Sequence, residues 1–306
     1  MKLHLATILL NDTSTAVISD GNLLWPVAKL AAHLGFDDFP TDLISIFQNW
    51  DKNRLLLENM LLSAVNQFGQ NGIPVEDAKF GAPLQFPGKV LCAGANYYDH
   101  LAEMGLKDTS KEKQRLFFFF KPPKSTVVGP GKTIVIPRRS NQYDWELELA
   151  VVFGKTVKDA TLENAMDGIA AASIAIDLSA RDRNAAPNTF YKVDWVAGKA
   201  NDTSCPMGPW LVPVDQIEDL ENLKMQLSVN GELKQDANTS GMIFSIAEQI
   251  VEASSIMPLE PGDVLLTGTP AGVGKPKGTF LNPGDRISAS IEGLGRLDVE
   301  VLPKKK

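Results

Sequence analysis

The chain has 306 residues, 44% of them hydrophobic and 22% charged, the balance of an ordinary globular protein with room for one large unit plus a small one. With 30 Lys and Arg against 37 Asp and Glu the net charge is −7, and without a basic block this excludes a binder of nucleic acid or anionic membrane. Two cysteines (Cys92, Cys205) and three histidines (His4, His33, His100) exclude a disulfide framework, a thiolate zinc site and a His-rich cage. Any metal must then sit on carboxylates, as the hard cations Mg²⁺, Mn²⁺ and Ca²⁺ do.

The apolar run Leu3–Leu10 is too short for a signal-peptide core with a cleavage site, and no stretch approaches a membrane span. The expectation is a cytoplasmic protein without membrane contact. Leu3–Leu10 and Ser14–Leu24 read as short strands around turns at Asn11-Asp12 and Asp20-Gly21. Helical spacing follows at Val27, Leu30, Ala31 and Leu34, and again from Leu55 to Val65, ending near Gly69. Turn formers crowd residues 70–88 (Gly72, Pro74, Gly81, Pro83, Pro87, Gly88) and read as a linker. The predicted organisation is a small α+β unit over residues 1–85 and a β-rich unit over 86–306.

In the second unit Val90–Ala93, Phe117–Phe120, Thr133–Ile136, Glu146–Phe153 and Ile169–Leu178 read as strands. Asn230-Gly231 is a strong two-residue hairpin signal between Leu223–Val229 and Glu232–Gln235. Met242–Ser255 has helical spacing, and Val264–Thr267, Arg286–Ile291 and Leu297–Leu302 close the chain as strands. Regular βαβ alternation is missing, which argues against a Rossmann fold or a TIM barrel. Lys304–Lys306 reads as a solvated end, and Cys92 and Cys205 as buried small hydrophobes.

Four segments could carry chemistry. In a strand Asp144, Glu146 and Glu148 share one face, with Trp145, Leu147 and Leu149 on the other. The ordinary meaning of such alternation is a solvated face, but Ala150-Val151-Val152-Phe153 continues the strand into the interior, where acids need a partner. Asp177, at the end of another apolar run, would complete a three-carboxylate site open to water and a bidentate ligand. His100 and Glu103 are i, i+3 neighbours on a helical face, an imidazole oriented by a carboxylate, next to a polar segment (Lys107–Arg115) with the texture of a lid. Lys199 lies among small residues and taken alone reads as a surface lysine. The Gly268-Thr269-Pro270-Ala271-Gly272-Val273-Gly274 turn follows an apolar strand and offers amides and a hydroxyl to an anion. It is neither a Walker loop nor a Rossmann fingerprint.

Taken in order, Asn96-Tyr97…His100…Glu103, Phe119-Phe120-Lys121-Pro122, Glu146-Leu147-Glu148-Leu149, Asp177-Leu178-Ser179-Ala180-Arg181-Asp182, Gly198-Lys199, Asn230-Gly231-Glu232, Thr239…Met242-Ile243-Phe244 and Gly268-Thr269-Pro270…Gly272-Val273-Gly274 resemble the fumarylacetoacetate hydrolase family over residues 89–302. The resemblance implies a mixed β-sandwich roll behind a small N-terminal α+β domain, usually a homodimer, holding Mg²⁺ or Mn²⁺, with Ca²⁺ as a substitute. It implies Glu146, Glu148 and Asp177 as metal ligands, and His100, Glu103 and Lys199 as catalytic residues. It further implies Lys121, Arg181 and Thr269 as contacts to a small oxo- or diketo-acid substrate. The expected activity is hydrolysis of a C–C bond in an acylpyruvate-type 1,3-diketo acid, in catabolism of aromatic compounds or sugar acids. Decarboxylation of a 2-oxo acid or isomerisation of a 2-hydroxy-dienedioate on the same site is the alternative, and a non-catalytic scaffold holding structural Ca²⁺ a remote one. Asn184 stands where many members carry glutamine, and Asn201-Asp202 where several carry Ser-Phe, so the substrate is less constrained than the reaction class.

Overall fold

The computed structural model describes residues 2–68, 71–107 and 109–303, with the backbone alone at Phe68. The expected helix end at Gly69 and the Lys304–Lys306 tail lie outside the described residues. Among the described residues three larger sheets, beside two two-stranded ones, organise the chain. A four-stranded antiparallel sheet runs in sequence order through His4–Leu10, Thr13–Ser19, Leu23–Pro26 and Ile73–Pro74. Asn11 and Asp12 make its first turn in left-handed conformations (φ 48° and 61°), which short polar side chains tolerate. Helices Val27–His33, Leu43–Phe47 and Trp50–Ser63 fill the connection, the last starting five residues before the apolar spacing becomes visible at Leu55.

The central sheet has six strands in the order Val212–Pro213, Ile169–Ile176, Leu147–Phe153, Val264–Leu266, Val90–Gly94, Phe117–Phe120, with one parallel pairing between Val264–Leu266 and Val90–Gly94. The third sheet has five, in the order Glu232–Asn238, Lys224–Val229, Arg286–Ile291, Gly295–Leu302, Thr133–Val135. Asn230 and Gly231 adopt positive φ (53° and 81°) and join Lys224–Val229 to Glu232–Asn238, as a type I′ hairpin requires. Both large sheets are open and mixed, so neither a Rossmann fold nor a barrel forms. The α+β roll with a leading α+β segment is the architecture that the sequence predicts.

Leu147–Phe153 is buried on both faces. Its odd positions, Leu147, Leu149 and Val151, share a core with Leu227, Ile287, Ala289, Leu297 and Val299 of the five-stranded sheet. Ala150 and Val152 face a second core made with Leu5, Ile18, Ile46, Leu57 and Met60 of the N-terminal segment. Side chains of this size contribute roughly 1.5–3 kcal/mol each when fully buried. The strand is therefore a rigid base for whatever its two ends carry.

Two boundaries differ from the sequence reading for local reasons. The helix expected over Met242–Ser255 occupies Ile246–Ile256, because Ser245 and Glu248 form a reciprocal capping box and the Phe244 amide donates to Asn96 Oδ1 instead of into a helix. The acidic strand is interrupted: Tyr143–Asp144 pairs with Ser179–Ala180, and the long ladder starts only at Leu147. Among the described residues no helix is long and apolar enough to cross a membrane.

Candidate active site

The acidic site is built by strand pairing. Leu147–Phe153 runs antiparallel to Ile169–Ile176, with Leu147 opposite Ile176 and Glu148 opposite Ala175. The ladder continues one step, since the Asp177 amide donates to the Glu146 carbonyl at 2.8 Å. Glu146 and Asp177 thus face each other across two strands, and Glu148 follows on the same side of the pleat. One carboxylate oxygen from each of the three lies within 4.8 Å of the others. The acids are 4%, 1% and 0% exposed, which rules out a solvated strand face.

Cations surround two of these acids more fully than the third. Lys199 Nζ lies 2.5 Å from Glu146 Oε2 and 2.6 Å from Asp177 Oδ2. Arg181 spans Glu146 (Nη2–Oε1, 2.6 Å) and Asp144 (Nε–Oδ2, 2.8 Å). Lys121 Nζ reaches Asp177 Oδ1 at 2.5 Å from behind. Burial works to raise the Glu146 carboxyl, but the charges of Arg181 and Lys199 outweigh it and hold the group at about 2. Burial likewise acts to lower the Lys199 ammonium, yet Asp177 and Glu146 raise it above its ordinary value, so it stays charged.

Glu148 differs. It accepts a hydrogen bond from the Gly268 amide at 2.7 Å, but burial, and then repulsion from Asp177 and Glu146, pushes its carboxyl well above the usual carboxylate range. Among the described residues no cation forms an ion pair with Glu148, and the Lys199 charge offsets the burial only in part. Three converging hard oxygen donors, one of them undercompensated, fit a hard divalent cation such as Mg²⁺ or Mn²⁺.

The imidazole sits on the short helix Tyr98–Glu103 at the end of Val90–Gly94. His100 is 7% exposed, not a surface group, and its Nδ1 lies 2.7 Å from Glu103 Oε1. The other Glu103 oxygen accepts from the Gly272 amide at 2.9 Å. Gly272 has φ +106°, and a Cβ there would run into the Lys234 carbonyl, so only glycine fits the turn that presents this amide. Of the lid-like segment, Lys111 pairs with Glu248 at 2.6 Å and Arg115 with Glu252 at 3.5 Å.

A cleft of about 380 Å³ gathers His100, Glu146, Glu148, Asp177, Arg181, Lys199 and Thr269 on one wall system. Eight of the nine residues singled out from the sequence therefore meet at one place: seven line the cleft, and Glu103 stands behind His100. Lys121, expected to contact substrate, is the exception. It is fully buried, and besides Asp177 it donates to the Leu178 and Lys199 carbonyls at 3.1 and 2.7 Å, so it is held beneath the site. Asn184 lines the cleft and packs its side-chain oxygen into the space beside Gly198.

Sequence reasoning missed three supporting groups. Asp144 had been seen only as part of the alternation. It is fully buried and accepts from the amides of Trp145, Gly274 and Lys275 at 2.9, 2.6 and 3.1 Å while holding Arg181. Gln235 donates to Thr269 Oγ1 and the Pro270 carbonyl, both at 2.9 Å, and accepts from the Leu147 amide at 2.9 Å. Asn96 donates to the Thr267 and Phe244 carbonyls at 2.9 and 3.0 Å. All three lie in mixed polar stretches, where nothing in the local pattern names a distant partner.

Residues 89–302 match the family model "Fumarylacetoacetate (FAA) hydrolase C-terminal". Bovine (Bos taurus) mitochondrial oxaloacetate tautomerase FAHD2B is 42% identical over 226 residues, covering 73% of this chain and 69% of its own. A fumarylpyruvate hydrolase from Pseudomonas aeruginosa, solved with Mn²⁺ and pyruvate, is 33% identical over 71% of this chain and 90% of that one, with a TM-score of 0.64. A probable 2-hydroxyhepta-2,4-diene-1,7-dioate isomerase from Mycobacterium abscessus is 28% identical, covers 100% of both chains and superposes with a TM-score of 0.76. Hydrolases, isomerases and tautomerases share this fold, which retires the scaffold alternative. The chain is an enzyme of the fumarylacetoacetate hydrolase family.

Proposed function

We propose that this protein hydrolyses the C–C bond of an acylpyruvate-type 1,3-diketo acid, with Glu146, Glu148 and Asp177 holding Mg²⁺ or Mn²⁺. The observation that carries this reading is the His100–Glu103 pair, 2.7 Å apart, on the same cleft as the three acids. A cation bound there supplies Lewis-acid polarisation of the 2-oxo acid oxygens and lowers the cost of enolate charge. In the tautomer with Nδ1–H donating to Glu103, His100 presents Nε2 as the base. Nε2 takes a proton from water, and the hydroxide adds to the distal carbonyl. The Lys199 ammonium stabilises the oxyanion that forms. The C–C bond breaks, its electron pair passes to the pyruvate fragment as the enolate, and the proton on His100 is delivered to the methylene carbon. The products are a carboxylic acid and pyruvate. Arg181 and Thr269 orient the substrate carboxylate, and Lys121 fixes Asp177 from below. Residues 86–306 carry the catalysis and residues 1–85 form a small leading unit, in a homodimer.

The 42% identity to an oxaloacetate tautomerase supports a second reading. Without water between His100 and the substrate, the same base moves a proton between carbon and oxygen of a 2-oxo acid, and no bond between carbons breaks. A Mn²⁺-loaded assay on acetylpyruvate, fumarylpyruvate and oxaloacetate separates them. Hydrolysis yields two acids by mass. Tautomerisation yields only an enol–keto absorbance change at constant mass, and CO₂ release marks decarboxylation. Absence of two-acid products from every acylpyruvate overturns the hydrolase reading.

A further inference from the structure

Odd positions of the strand Leu147–Phe153 turn their backbone groups towards Val264–Leu266, and the Thr267 amide donates to the Leu149 carbonyl at 3.0 Å. One step further on, the neighbouring chain has left the sheet, because Gly268 (φ +103°) opens the Gly268–Gly274 loop. Leu147, between Glu146 and Glu148, is fully buried, and its amide would lack an acceptor there. A side chain from the five-stranded sheet stands in for the missing strand. Gln235, the one buried residue of Glu232–Asn238, accepts from the Leu147 amide at 2.9 Å. Its Nε2 donates to Thr269 Oγ1 and to the Pro270 carbonyl, both at 2.9 Å. The carboxamide cannot be turned round: the Leu147 N–H needs an oxygen and the Pro270 carbonyl needs an N–H, so both ends demand the same orientation.

These bonds close a ring. Gln235 joins the backbone at Leu147 to the loop at Thr269 and Pro270, and the residue before Thr269 returns its amide to the Glu148 carboxylate at 2.7 Å. Glu148 is held beside its backbone by one link and at its carboxylate by the other, and Gln235 sets the distance between them. The other two acids are aimed differently, by ion pairs: Glu146 with Arg181 and Lys199, Asp177 with Lys121 and Lys199. Glu148 has no such pair among the described residues, so its aim depends on the ring. We propose that Gln235 is a positioning residue for the metal, its carboxamide keeping Glu148 turned to the point where the three acids converge before any cation arrives. This rests on the reading that Glu146, Glu148 and Asp177 hold a divalent cation.

Calorimetric titration of the metal-free full-length protein with Mn²⁺, in the absence of any 2-oxo acid, tests it. Gln235→Glu keeps the shape and the acceptor for Leu147 but sets an oxygen against the Pro270 carbonyl, and Gln235→Met removes every link. Each should bind Mn²⁺ about 10- to 100-fold more weakly than the wild type with unchanged stoichiometry, the usual scale for a group that orients a metal ligand. Ser173→Ala is the control for stability, since the buried Ser173 hydroxyl donates to the Trp210 carbonyl at 2.7 Å and takes no part in the ring. It should lower the thermal midpoint and leave Mn²⁺ affinity at the wild-type value. Wild-type affinity in a folded Gln235 variant overturns the proposal, and so does an equal loss of affinity in Ser173→Ala. If neither Gln235 variant folds, Thr269→Val decides, because it removes one loop link and leaves Leu147 bonded: a few-fold weaker Mn²⁺ binding upholds the ring and an unchanged affinity overturns it. A wild type that binds no Mn²⁺ overturns the metal reading and the ring together. If the Gln235 variants lose Mn²⁺ affinity while no acylpyruvate is cleaved, the ring stands and the hydrolase reading alone fails.

Discussion

The carboxylate of Glu103 is shared between two elements: one oxygen lies 2.7 Å from His100 Nδ1 and the other accepts from the Gly272 amide at 2.9 Å. His100 is thereby tied to the Gly268–Gly274 loop, which also supplies the Gly268 amide to Glu148 and the Gly274 amide to Asp144. The partners of His100, Glu148 and Arg181 are positioned by one turn.

This predicts that His100→Ala and Glu103→Gln both depress kcat on the acylpyruvate that the wild type cleaves, by about 10²–10⁴-fold for the loss of the base and less for the loss of its orientation. Steady-state kinetics at saturating Mn²⁺ measure both. Wild-type kcat in His100→Ala removes the dyad from the mechanism.

Gly272→Ala acts without touching the reacting groups. The new methyl meets the Lys234 carbonyl at a φ that L-residues avoid, so the turn must shift and the amide leaves Glu103. The expected result is a lowered thermal midpoint together with a kcat loss in the direction of Glu103→Gln. Unchanged kcat in a folded Gly272→Ala enzyme contradicts the link.

Glu148 carries a pH signature. Its folded value is raised above the ordinary 4.5 by burial and by its acidic neighbours. A raised carboxyl contributes stability fully present below the unfolded value and lost as pH rises through the folded value. Metal-free protein should therefore lose stability on that rise, and Mn²⁺ should restore it by taking the place of the proton. Glu148→Gln should flatten the metal-free profile while abolishing the Mn²⁺-induced rise in Tm, read by calorimetric melting with and without metal.

Lys121 is a stability test. It is fully buried and its charge faces Asp177 at 2.5 Å. Lys121→Met leaves Asp177 short of one partner in a dry site, and breaking such a pair costs about 3–5 kcal/mol. Denaturant unfolding of the metal-free protein should show it. A stability within about 0.5 kcal/mol of wild type, the scale of a surface substitution, means that Lys199 alone holds Asp177.

The sequence alone determined which residue types recur and at what spacing. Period-two acids at Glu146 and Glu148 running into an apolar stretch, i, i+3 spacing of His100 and Glu103, and Asn230-Gly231 between apolar runs are local patterns, and local backbone geometry reads them directly. Tertiary structure decided the partners. Glu146 stands opposite Asp177 only because a ladder registers Leu147 on Ile176, a pairing that no spacing along one strand encodes. Lys121 looked like a substrate contact in its motif, but strand pairing and burial turn it beneath Asp177. Asp144 and Gln235 gained roles only when loops distant in the chain brought amides to them, and because charge interactions strengthen steeply once water is excluded, burial fixed in space what composition had left open.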